Sequence, residues 1–155
     1  MSLDDSSTRF WIASVVAFLC ATLTPVVLIM ALAKSFASVF FVLILSALHV
    51  VFLALPVFVI LRRLRKLNAI AIGVSGFLIG LIPFATFTFP GWYASSGSYA
   101  YQDGKDLVWA ISNGHMTQPG WIEYFVSAFE VGLIGLLAAT VFAAILRVAQ
   151  GVSAI

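Results

Sequence analysis

Glu130 is the residue in this sequence best placed to do chemistry, a carboxyl set inside the apolar run 122–146. On a helix with a 1.5 Å rise it lies about 12 Å beyond Ile122. An ionisable group that deep in a bilayer is costly and is a functional-site candidate by default. Ser127 and Glu123, three and seven residues earlier, fall on much the same helical face. Together the three make the only continuous polar stripe in the apolar runs. His49, near the middle of run 36–61, is the natural intramolecular partner. It sits about 6 Å deeper than Glu130 if both helices are centred, a gap that helix tilt, side-chain reach or one water closes. A Glu130–His49 contact would be a proton relay, a pH-sensitive latch, or a register-fixing hydrogen bond worth about 0.6 kcal/mol. A partner chain is the other destination for the Glu130 carboxyl.

His115, Asp103, Asp106 and Glu123 are close in sequence and invite a metal or acid–base reading. Their spacing matches no ligand pattern, and Asp103 and Asn113 each precede a glycine, as turn residues do. A solvated loop without a metal is expected there. No HExxH, phosphate-cradling glycine loop or serine elbow occurs. The single Cys20 lies in an apolar run without a neighbouring base and reads as a packing or lipid-facing residue. No catalytic residue and no cofactor is therefore expected.

The elements that must position these residues follow from composition. Of 155 residues, 63% are hydrophobic and 9% charged, against roughly 25% charged in globular domains. Lipid is the solvent such a chain requires. The formal charge of +2 is small and localised, which argues against a nucleic-acid partner. Four runs, about 10–33, 36–61, 69–90 and 122–146, reach the roughly 20 residues that cross a bilayer core. None alternates as a membrane barrel strand does. Helices satisfy their own backbone groups, so the predicted fold is all-α, a four-transmembrane-helix bundle forming one domain over 1–155. Ala31-Leu32-Ala33 resembles a leader cleavage site. However, the preceding segment 1–9 is acidic, and the run exceeds the roughly 7–15 apolar residues of a signal peptide.

Orientation comes from Arg62, Arg63, Arg65 and Lys66, half of the eight Lys+Arg in the chain, packed between two runs. Short basic loops stay cytoplasmic. Both termini then face the cytoplasm, with six cations inside (Arg9, Arg62, Arg63, Arg65, Lys66, Arg147) and Lys34 and Lys105 outside. The cluster is a topology anchor that can also attract anionic headgroups, at about 1 kcal/mol per charge. A plasma membrane, in particular a bacterial inner membrane, is the expected location.

Within the runs, Thr22, Thr24 and Pro25 predict a kink in which hydroxyls serve carbonyls freed by the proline. Gly73, Gly76 and Gly80 form one small-residue groove, and Ala128, Gly132, Gly135 and Ala139 form another. Spans three and four would pack through both grooves, or one would serve self-association. The outer loop 91–121 carries Trp92, Tyr93, Tyr99, Tyr101, Trp109 and Trp121, rings that settle at headgroup level. Asp103-Gly104 and Asn113-Gly114 are hairpin-turn signals. They favour three short strands capping the bundle over an interfacial helix from Asp106 to Ser112, and an extended 98–102 would put both tyrosines on one face. Pro119 is placed as prolines are near a helix start.

The leading expectation is a non-enzymatic interaction or accessory subunit of a membrane complex, bound to another membrane protein or to copies of itself. The alternatives are an oligomeric channel or transporter with Glu130 and His49 on its path, and a membrane enzyme acting on lipid or quinone through His115 and the outer-loop acids.

Overall fold

A computed structural model describes residues 3–33, 36–90, 97–103 and 106–150. Four helical segments are long and apolar enough to cross a membrane. They are α1 (Leu3–Ala33), a composite second span, α4 (Ala69–Phe87) and α5 (Gln118–Gln150). The second span joins α2 (Phe36–His49), a π-helix (Val50–Ala54) and α3 (Leu55–Arg63). Between α4 and α5 lies an antiparallel sheet of β1 (Tyr99–Asp103), β2 (Asp106–Ser112) and β3 (His115–Met116), in that spatial order.

α5 packs along α4 on one side and α1 on the other, and α2 leans on α1. Lipid tails are as apolar as leucine, so close backbone approach, not burial from water, must hold such helices together. Glycine provides it. A methyl on Gly76 would overlap Ala139 Cβ and the Gly135 carbonyl, and one on Gly135 would overlap the Gly76 carbonyl. A methyl on Gly80 would meet the Val131 carbonyl. The two small-residue grooves are thus filled by each other within one chain. Towards the other end, Phe58 is buried between Phe18 and Phe142, with ring centroids 5.4 and 5.5 Å away, and Phe10 stacks on it at 6.2 Å.

The π-helix sits just before Pro56, whose nitrogen cannot donate to the carbonyl four residues back. Leu55 N–H reaches instead to Val50 C=O, five residues back, so the turn holds one extra residue. Span two is fastened to α1 by the Ser46 hydroxyl, which donates to the Thr22 carbonyl at 2.9 Å. α1 continues through Pro25. The Thr22 and Thr24 hydroxyls donate to the carbonyls of Phe18 and Cys20, not to that of Ala21, which the proline leaves without its usual donor. The Thr22 and Thr24 hydroxyls thus do not relieve the carbonyl freed by Pro25, and the Ser46 bond to Thr22 is an interhelical tie separate from it.

Both ends of the capped face depart from the apolar boundaries. α5 starts at Gln118, not 122, because Thr117 caps it: its hydroxyl oxygen accepts from Gly120 N–H at 3.2 Å. The same hydroxyl donates to the Trp109 carbonyl, and Thr117 N–H donates to the Ala110 carbonyl at 3.0 Å, so the cap residue also carries the sheet. A Cβ on Gly120 would strike the Ala110 carbonyl, so the sheet is seated directly on the first turn of α5. α4 ends at Phe87, not Pro90, with Phe89 N–H turned back to Thr86 C=O. The Ala85 carbonyl, which a continuing helix would have bonded to Phe89, accepts instead from the Tyr124 hydroxyl at 2.6 Å. One side chain of α5 thereby closes the end of α4.

The loop forms strands, not an interfacial helix. Asn113 (φ 49°) and Gly114 (φ 77°) both take the left-handed conformation that a two-residue primed turn demands. The irregularity in the β1–β2 pairing lies in β2: Tyr99 stands opposite Ile111, Ala100 opposite Trp109 and Tyr101 opposite Val108, so Ala110 is the extra residue. β1 keeps its alternation, and Tyr99 and Tyr101, two residues apart, lie on one side of it, Tyr99 exposed and Tyr101 half-buried.

Candidate functional site

The rotation of α5 is fixed by its glycines. Successive residues turn about 100°, so Glu130 lies roughly 200° from Gly132 and points away from α4. The Glu130 side chain is exposed, as are Val126, Leu133 and Leu137 around it. It stands three residues from the middle of the apolar segment Gln118–Val148. Among the described residues it has no hydrogen-bond or ion-pair partner. Glu123 is exposed on the same side of α5, and Ser127 is half-buried.

His49 is placed elsewhere. It lines a cavity of about 350 Å³ in the heart of the bundle, walled by all four spans. The wall is almost wholly apolar, with Pro25, Phe84, Ile134 and Ala138 around His49, Ser46 and Ser75. The cavity is partly open, and the second span meets α4 chiefly through the π-helix and α3. His49 Nδ1 lies 2.8 Å from the Leu45 carbonyl. A carbonyl can only accept, so Nδ1 carries a proton, and the tautomer with that proton alone leaves Nε2 as an acceptor. Val131, Ile134 and Gly135 face this cavity and Glu130 does not. His49 and Glu130 are therefore not brought together, because the glycine packing that aims 131 and 135 inward aims 130 outward.

The basic cluster ends span two at the opposite pole from the sheet. Arg62 lays its guanidinium over the Phe10 and Trp11 rings, 4.4 Å from each centroid. Arg147 of α5 shares a small cleft there with Phe10 and Leu67. Arg63, Arg65 and Lys66 are exposed. The helix closes by Lys66 N–H to Leu61 C=O and Arg65 N–H to Arg62 C=O, which puts Arg65 at the left-handed position that glycine usually fills. Holding an L-residue there costs about 1–2 kcal/mol, so the turn retains a cation at a backbone penalty. Lys34 and Lys105 lie outside the described residues.

At the sheet pole, Tyr99, Leu107 and Trp109 are exposed, while Trp121 packs with Phe89, Tyr124 and Phe125. Trp92 lies outside the described residues. His115 is exposed on β3, and Asp103 and Asp106 pair across the β1–β2 turn. No three His, Cys, Asp or Glu side chains converge among the described residues. No family model, curated protein or solved structure matches this chain.

Sequence reasoning missed the cavity, the π-helix and the Tyr124–Ala85 bond. Pro56, seven residues after His49, was the one available signal for the second.

Proposed function

We propose that this chain is a non-enzymatic subunit of a membrane complex, docking onto another membrane protein through the outward face of α5. The supporting observation is Glu130, a carboxyl exposed near the middle of an apolar span and flanked by Val126, Leu133 and Leu137. Hydrocarbon offers a carboxyl no hydrogen bond, so a helix carrying a donor or a cation is the covering that suits it. In this reading the basic turn and both termini face the cytoplasm of a plasma membrane, a bacterial inner membrane. The gathering of Arg62 and Arg147 at the pole away from the sheet supports that orientation. Tyr99, Leu107 and Trp109 then offer a second, extracytoplasmic contact surface at headgroup level. A channel built on Glu130 and His49 is less favoured, since the two face different sides of α5.

Photo-crosslinkers incorporated at Leu133 and, as a control, at Phe52 test the reading in intact cells. Leu133 is expected to give a discrete adduct with one protein, identifiable by mass spectrometry, and Phe52 only lipid adducts. Lipid adducts alone from Leu133 would reject it.

A further inference from the structure

We propose that the cavity beside His49 binds an apolar amphiphile with a single hydroxyl, its hydrocarbon body in the cavity and its hydroxyl donating to His49 Nε2. The volume, about 350 Å³, is that of a small-molecule site rather than a packing defect. Its wall selects hydrocarbon. Its polar members are largely committed: Ser46 donates to Thr22, and His49 Nδ1 to Leu45. What remains is the Ser75 hydroxyl on α4 and the second nitrogen of the imidazole, and of the two only the imidazole nitrogen is purely an acceptor. No buried side-chain N or O lacks a partner among the described residues, and no bond to Nε2 is formed there, so this atom is accessible. An accessible acceptor in a hydrocarbon environment asks for a donor that water does not supply.

Depth decides which amphiphile. His49 is two residues from the middle of the apolar segment Val39–Arg63, about 3 Å along the axis, whereas headgroups begin about 15 Å from the midplane. An acyl chain of a bilayer phospholipid can enter the cavity, but its polar end cannot reach His49. A molecule with a single hydroxyl on a mobile hydrocarbon body can. The π-helix that begins at Val50 gives the second span an extra residue in the turn beside His49, and Val50 and Ala54 both line the cavity. Such insertions recur at binding sites.

The test uses farnesol as probe and farnesyl methyl ether, which lacks the donor, as its control, with the full chain in lipid nanodiscs. Only two histidines are present, so ¹⁵N-histidine labelling reads His49 against the exposed His115. Farnesol is expected to bind saturably and to shift the His49 Nε2 resonance while leaving His115 unmoved. The ether is expected to bind roughly fivefold more weakly, the effect of one hydrogen bond. His49→Phe should erase the difference between the two. Ile134→Trp, which fills the cavity from α5, should abolish binding of both. Equal affinity for alcohol and ether would mean that hydrocarbon alone fills the space, and would overturn the proposal. So would an unmoved His49 resonance on wild-type protein, or farnesol binding that survives Ile134→Trp.

Discussion

Gly135→Val is expected to separate α4 from α5 and to remove most of the folded protein. Even a methyl at this position overlaps the Gly76 carbonyl, and the atom it meets is backbone, which cannot rotate aside. Overpacking a well-fitted contact costs typically about 1–3 kcal/mol, and more when the obstacle is main chain. The membrane adds a further reason. No aqueous hydrophobic effect drives α4 and α5 back together once their van der Waals fit is lost. Steric trapping or SDS titration of purified protein should show a loss of about 3 kcal/mol or more. Thr140→Val, about one and a half turns along on an exposed side of α5, should change it little. A Gly135→Val protein as stable as wild type would mean that α4 and α5 are not packed as described.

Glu130→Leu is expected to separate two properties that usually fall together. The isolated chain should be at least as stable as wild type, because the substitution removes a carboxyl that no described group partners and presents leucine to lipid or detergent. Association with the partner should weaken. Interhelical polar contacts in membranes measure about 0.6 to 1.7 kcal/mol, so the loss should be roughly three- to twentyfold in affinity. Crosslinking yield from Leu133 at limiting expression reads the association, and thermal melting in detergent reads the stability. Glu130→Gln, which keeps hydrogen bonding but not charge, separates the two kinds of partner. It retains yield if a donor faces Glu130, and loses it if a cation does. A Glu130→Leu chain that melts markedly lower would instead place the carboxyl in an internal structural contact.

The architecture was legible because the bilayer constrains it so strongly. Four apolar runs with a basic knot after the second admit few arrangements, and the paired Asp-Gly and Asn-Gly signals sufficed to indicate strands between them. Helix ends were less legible. Apolar counting stops where the hydrocarbon does, whereas the Thr117 cap starts α5 at Gln118, four residues before the apolar run, and Tyr124 closes α4 before its run is over. The polar pair depends on rotation as well as depth. Glu130 and His49 are close in depth, but Gly132 and Gly135 on the same helix as Glu130 form the face that packs on α4. An offset of about 200° from Gly132 turns Glu130 to the far side of the same helix. The cavity had no signature at all in sequence, since its wall is assembled from residues of all four spans that are far apart along the chain.

The most direct measurement is the environment of the α5 outward face in native membranes. Nitroxide labels at Leu133 and at Phe52, each as a single cysteine in a Cys20→Ala background, report collision with dissolved oxygen. Phe52 should show the high accessibility of a lipid-facing site. Leu133, also exposed in the isolated chain at 43% against 68% for Phe52, should be several-fold less accessible in the native membrane and rise towards Phe52 after purification. Equal oxygen accessibility at the two positions before extraction would contradict a protein partner on this face.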